Sequence, residues 1–229
     1  MNDLRAKDLE GSGLLNTGRT SLRSELVYRI LLDAIKNGEI KPGDRITEEE
    51  IAHKLSVSRT PVRAALQSLQ ARRLIENAPG RGLMVAELDT QQVLELYSMR
   101  AVLEGAAARF AAQHASESEI AYLQQLVKEF AESSDTPHTL ANLNVRFHRT
   151  IYAASRNRYV QEALNNFEDA LSLLQSTTFS LPERHKAAYL EHNEIIRAIA
   201  NHDSDKAEAA ARHHIGEAQK ARVRMMLER

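Results

Sequence analysis

Two arginines four residues apart, Arg59 and Arg63, follow Ser58 and enclose Thr60-Pro61-Val62 where a helix should begin. Side chains four apart on a helix share a face, and arginine can bridge guanine O6 and N7 with two bonds. Ser58 and Thr60 add hydroxyls suited to phosphates or bases. That chemistry is the reading of a double helix through its major groove. The same residues also fit an ordinary helix pair with solvated arginines. Further along, Asn144 and His148 are again four apart, and His192 and His214 lie among apolar neighbours. Three imidazoles and an amide oxygen can hold a divalent ion with one or two positions left open. Against that stands the ordinary fate of helical histidines, of which many of the nine here should be surface or satisfied core residues.

The arginines need a helix to carry them, and the flanking residues provide one. Thr47 can cap a short helix from Glu48 to Leu55, with Glu48, Glu49 and Glu50 at the positive end of its dipole. Ser56-Val57-Ser58 makes a turn. Ser58 is a second N-cap, Pro61 fits the first turn, and the helix should run to about Arg73. Ile51, Leu55, Val62, Ala65, Leu66 and Leu69 recur at helical spacing and would pack the pair together. Behind it, Leu74-Ile75-Glu76, Asn77 to Gly82 and Leu83-Met84-Val85-Ala86 read as strand, glycine-rich turn and strand. A hairpin there is a wing, with Arg81 held between Gly80 and Gly82 where the backbone can approach a phosphate or minor groove. Ahead of the pair, a helix from about Ser21 to Asn37 should bury Leu22, Leu26, Ile30, Leu31, Ala34 and Ile35. Gly38 would end it, and Pro42-Gly43 would turn the chain toward Thr47.

Beyond Ala86 no further strand pattern occurs. Helices are expected at about 90–114, at 117–133 after a Ser116/Glu119 capping box, at 137–154 after Thr136, and at 158–178. Two more follow, 182–201 after a box of Ser180 and Glu183, and 204–227 after Asp203. Layers of antiparallel helices would bury their apolar stripes. The expected fold is mainly α: a winged helix-turn-helix at 21–86 and an all-helical bundle at 87–229. Residues 1–20 should be a flexible arm.

Composition narrows the class. Hydrophobic residues make up 43% and charged residues 27% of the 229, a globular balance. No apolar run approaches the roughly 20 residues of a membrane span, and no signal-peptide pattern opens the chain. Cysteine is absent, which excludes disulfides and thiolate metal sites. A cytoplasmic protein without a membrane partner is the expectation. The net charge of −1 divides unevenly: residues 21–86 hold 11 Lys+Arg against 8 Asp+Glu, and residues 87–229 hold 16 against 20. The basic part is the part with the paired arginines.

Taken together, these residues resemble a GntR-family transcriptional regulator of the FadR subfamily, in which a winged helix-turn-helix precedes an FCD effector domain. The front half of the resemblance runs through Ile40-Lys41-Pro42-Gly43-Asp44-Arg45-Ile46, Glu50-Ile51-Ala52 and Leu55 to Arg63. The rear half rests on Leu96 to Arg100, Leu103-Glu104, Phe147-His148, Ser155-Arg156-Asn157, Glu191-His192 and His213-His214-Ile215. Its implications are specific to residues. Ser58, Arg59, Thr60 and Arg63 would contact operator DNA, with Gly80 and Arg81 from the wing, and His148, His192 and His214 would bind metal. Arg100 would hold the carboxylate of an effector, a task that suits its fork geometry. The other reading of Arg100 is an exposed residue paired with Glu104 one turn on. Asn157 is expected to cap the following helix, and His213 to face solvent.

Two positions depart from the family pattern. Many relatives carry aspartate where Asn144 stands, so the ligand set here is neutral and an ion keeps its full charge toward an anionic effector. Some carry arginine where this chain has Glu49, so a DNA contact made there is lost or replaced. The implied function is a homodimeric repressor of double-stranded operator DNA, controlled by a small carboxylate in a metal-bearing bundle. Zinc is the first choice for imidazole donors, with nickel or manganese as alternatives. Three other readings remain at this stage: a regulator whose signal is the ion itself, a metal-dependent enzyme fused to a DNA-binding module, and histidines that with Asn144 bind the effector directly.

Overall fold

The computed structural model describes residues 16–133, 136–174 and 176–228, with side chains from residue 21 onward. Of the expected arm, residues 1–15 lie outside them, and residues 16–20 are helical, so the first helix begins five residues before the expected Ser21. The chain divides into two compact units, Met1–Glu87 with Glu168–Gln175, and Leu88–Phe167 with Ser176–Arg229.

In the first unit, α1 spans Asn16–Lys36, α2 Glu48–Lys54 and α3 Arg59–Ala71, followed by strands β1, Ile75–Ala78, and β2, Gly82–Val85. Helix α1 packs on α3, and its Val27, Leu31, Ala34 and Ile35 are all nearly inaccessible. Leu22 does not belong to that stripe. It is two-thirds exposed, because the buried face begins a turn and a half later at Val27 and Tyr28. Gly38 takes φ +71° and ends the helix in the left-handed conformation that glycine tolerates. Thr47 caps α2 by accepting from the Glu50 amide. The strands pair antiparallel, Ile75 opposite Val85, and Arg45 adds a single bridge to Met84 that broadens the wing.

The second unit is helical among its described residues. Its elements are α4 Thr90–His114, α5 Glu117–Glu132, α6 Pro137–Ala154, α8 Arg184–Ala200 and α9 Ser204–Leu227, with α7 Arg158–Leu171 up to Phe167, its last four residues being counted in the first unit. Asp89 with Gln92, and Ser116 with Glu119, close reciprocal capping boxes on α4 and α5. Asn157 caps α7 by accepting from the Tyr159 and Val160 amides. Helices α4 and α9 lie against each other, because Ala107, Ala108, Ala111 and Ala112 give α4 a buried face of small residues. Gly105 extends that face: a Cβ there would come within 2.9 Å of Arg212.

Two expected boundaries are corrected. A helix does not run from 158 to 178; α7 stops at Leu171 and gives way to short 3-10 turns. Ser172 donates back to the Asp169 carbonyl at 2.6 Å, and Thr177 caps a new turn at Phe179. Hydroxyl side chains in such a run compete with the helix ladder for backbone partners. Ser180 and Glu183 likewise form no capping box. Ser180 donates to the Thr177 carbonyl, and Glu183 sits at φ +64° without a cap bond, so α8 begins at Arg184.

Candidate nucleic-acid interface and metal centre

Helix α3 is amphipathic in the way a groove-reading helix requires. Val62, Ala65, Leu66 and Leu69 are buried, while Ser58, Arg59, Thr60 and Arg63 are exposed together at its start. The Ser58 hydroxyl makes no cap bond. Both arginines lean on acids of α2. Arg63 donates from Nε and Nη2 to the two oxygens of Glu48 at 2.8 and 2.9 Å, and Arg59 donates once to Glu49 at 2.9 Å. The Arg63 bond holds the Glu48 carboxyl below its ordinary range. In the wing, Gly80 and Gly82 take φ +73° and +84°, the left-handed backbone that lets the turn present exposed Arg81. Arg45 also lies there, its Nε 3.8 Å from where a Cβ on Gly82 would be. Sequence spacing had not marked Arg45 or Glu48 as part of this surface, and Glu49 entered only as a departure from the family pattern.

Among the described residues, His148 of α6, His192 of α8 and His214 of α9 bring one ring nitrogen each within 4.8 Å of one another, all buried. Two of the rings are aimed by acids. Glu104 of α4 faces His148 Nδ1 at 2.6 Å, and Glu191 of α8 faces His214 Nδ1 at 2.6 Å. Each acid is in turn held by a buried arginine. Arg100 donates to Glu104 from Nε and Nη2, and Arg184 forms a two-bond fork with Glu191 at 2.7 and 2.8 Å. A carboxylate on Nδ1 fixes the neutral tautomer that turns Nε2 inward as a lone-pair donor.

The electrostatics agree. Burial would raise the Glu104 carboxyl, but the attraction of His148 and Arg100 overrides it and holds the group well below the usual range. Burial also opposes the shift at Glu191, yet His214 and Arg184 pull it down to about 2. Burial depresses His214 to about 4 and lowers His192 strongly, so both are neutral imidazoles at physiological pH.

The donors fit a cation. His148 Nε2 and His214 Nε2 lie 3.2 Å apart. Two nitrogens bound to one ion at about 2.0–2.1 Å would be separated by about 3.3 Å in tetrahedral geometry. Both ring nitrogens of His192 and the buried Oδ1 of Asn144, one turn before His148, lack any hydrogen-bond partner. Buried polar atoms are rarely left so, and an ion taking one lone pair from the His192 ring and one from Asn144 would account for two of these three atoms, the other ring nitrogen carrying the proton. Arg100 is paired with Glu104 as its alternative reading required, but it is buried rather than exposed, and its guanidinium lies 5.2 Å from the Tyr97 ring centre. His213 is exposed. Glu104 stood in the sequence pattern only as a partner for Arg100 and Glu191 without a role, and Arg184 lies two helical turns before Glu191 with no signal to mark it.

The gntR family of bacterial regulatory proteins matches residues 23–85, and the FCD domain matches residues 95–217. The chain belongs to the GntR family, in its FCD-bearing branch. The chain is 30% identical over 200 residues to a Paenarthrobacter nicotinovorans protein named "Probable D-xylose utilization operon transcriptional repressor", covering 86% of this chain and 87% of that one. It is 27% identical over 217 residues to the Glc operon transcriptional activator of Escherichia coli strain K12, 84% of each chain. A crystal structure of a GntR-type regulator from Rhodococcus sp. RHA1 superposes with a TM-score of 0.70 at 25% identity, over 88% of this chain and 97% of that one. This GntR protein is thus a DNA-binding transcriptional regulator rather than an enzyme. No described helix is long and apolar enough to cross a membrane.

Proposed function

We propose that the protein is a homodimeric, cytoplasmic repressor whose grip on operator DNA is set by a small organic acid at a cation held by His148, His192 and His214. Residues 21–86 would read the operator, through Ser58, Arg59, Thr60 and Arg63 with Gly80 and Arg81 on the wing, and residues 87–229 would sense and dimerise. Each half of a dimer would meet one half of a near-palindromic site. The observation that carries the sensing half is the partnerless His192, buried beside two imidazoles already aimed by carboxylates.

Zinc suits three imidazoles, with nickel or manganese as the alternatives. When bound, the ion would supply a Lewis-acidic position for an anion. Its surroundings favour that charge: the His192 and His214 imidazoles and Asn144 are neutral, and the acids Glu104 and Glu191 are each matched by an arginine. Arg100 would then give the carboxylate a second hold through the part of its guanidinium that Glu104 leaves open. By linkage, an effector can release DNA only by as much as it prefers the DNA-incompetent arrangement, typically about 1–3 kcal/mol.

Metal analysis of protein purified without a His-tag, followed by titration of the DNA complex with a panel of mono- and dicarboxylates, tests this reading. Stoichiometric metal and acid-dependent release are expected. Release by metal alone would make the ion the signal, and acid-dependent release from metal-free protein would assign the acid directly to the histidines and Asn144.

A further inference from the structure

The two arginines at the start of α3 are held differently, and the difference bears on what each can read. Arg59 touches Glu49 through one nitrogen, and both side chains are well over half exposed. Arg63 is clamped. Its Nε and Nη2 meet both oxygens of Glu48, whose side chain is only one-third exposed. A guanidinium is a planar fork with two usable edges. Glu48 takes the Nε/Nη2 edge, so the Nη1/Nη2 edge faces about 120° away from it in the same plane, and no described residue bonds Nη1. That free edge carries the two parallel N–H groups that match guanine O6 and N7.

We infer that Glu48 is a specificity-determining buttress: it presets Arg63 so that its Nη1/Nη2 edge reads a guanine, while Arg59 makes an adaptable contact. The inference rests on α3 being the DNA-reading helix. Its physical content is pre-organisation. Immobilising one rotamer-rich side chain costs an interface about a two- to tenfold factor, and a side chain already immobile escapes that cost. Glu48 brings a negative charge near phosphates, so its effect on non-specific binding must have the opposite sign. A wrong base in front of a fixed arginine leaves its donors unmatched, whereas a free arginine can swing to a phosphate.

The test uses the full-length protein and a duplex enriched from a random-sequence pool by the wild type. Affinities for that duplex and each of its single-base variants are measured for wild type, Glu48→Gln, Glu49→Gln, Arg63→Ala and the Glu48→Gln/Arg63→Ala pair, with thermal melts as a check on folding. Glu48→Gln should lower discrimination about two- to tenfold at the base pair where Arg63→Ala acts, and leave other positions unchanged. Binding to random DNA should hold or strengthen. In the Arg63→Ala background the Glu48 change should have no further effect at that base pair, and Glu49→Gln should leave it alone. Selective wild-type binding with discrimination unaltered by Glu48→Gln overturns the inference, as does an equal gain in affinity on every duplex. A wild type that enriches no sequence overturns the DNA-reading assignment and this inference with it.

Discussion

The exposed start of α3 and the buried histidine centre are built from the same pair of side chains, arginine and glutamate, in opposite surroundings. Arg63 and Glu48 meet with 62% and 33% of their side chains exposed, whereas Arg184 and Glu191 meet at 7% and 9%. In water such a pair contributes little to stability. Inside the protein neither member can be removed without stranding the other's charge. The same chemistry therefore orients a side chain at the DNA-reading end without adding much to stability, and forms a fixed scaffold around the imidazoles.

The most direct way to break that contrast is to remove one acid from each region. Glu104→Ala leaves Arg100 buried without its carboxylate and should destabilise the protein by about 3–5 kcal/mol, measured by urea denaturation. Glu48→Ala should leave the urea transition in place. Equal losses would show that burial does not separate the two kinds of pair.

Acidification sharpens the comparison from another side. His214 is depressed to about 4 from an ordinary 6.5, chiefly by burial, and His192 moves in the same direction. A depressed folded-state value means that the unfolded chain binds protons first. The stabilisation is therefore complete above about pH 6.5 and declines as pH falls toward 4, by about 3 kcal/mol from His214 alone. Metal-free protein followed by chemical denaturation between pH 7 and 4 should show that decline. Stability that is flat across this window would mean that the imidazoles are not held neutral by the fold.

How much of this was legible in the sequence follows the same division. The exposed arginines, the glycine-flanked Arg81 and the caps at Thr47, Asp89, Ser116 and Asn157 are local features, and spacing revealed most of them. Spacing could nominate the three histidines but only the resemblance singled them out from the nine, because α6, α8 and α9 meet by tertiary packing. The acids behind them were invisible to periodicity for that reason: Glu104 reaches His148 from another helix, and Glu191 reaches His214. The misplaced end of α7 has a local cause. Leu171 to Leu174 continue an apolar helical pattern, but the hydroxyls of Ser172 and Thr177 capture backbone groups that a helix needs.

Smaller effects belong to DNA. Arg63→Ala should weaken binding to the enriched duplex about ten- to hundredfold and relax preference at one base pair, read by fluorescence anisotropy. Arg81→Ala should weaken all duplexes alike and lower the slope of log affinity against log salt by about 0.9, one phosphate contact's worth. If Arg63→Ala also lowered affinity uniformly, α3 would be positioning the protein without reading sequence.

The central claim is that an acid acts on DNA binding through the histidine-held cation, and one titration tests it most directly. Metal-loaded protein, chelator-stripped protein and His192→Ala are each bound to the enriched duplex and titrated with the carboxylate panel under identical salt. Release from the metal-loaded protein alone is the expected result. Release of equal extent from all three, or from none, would contradict the account.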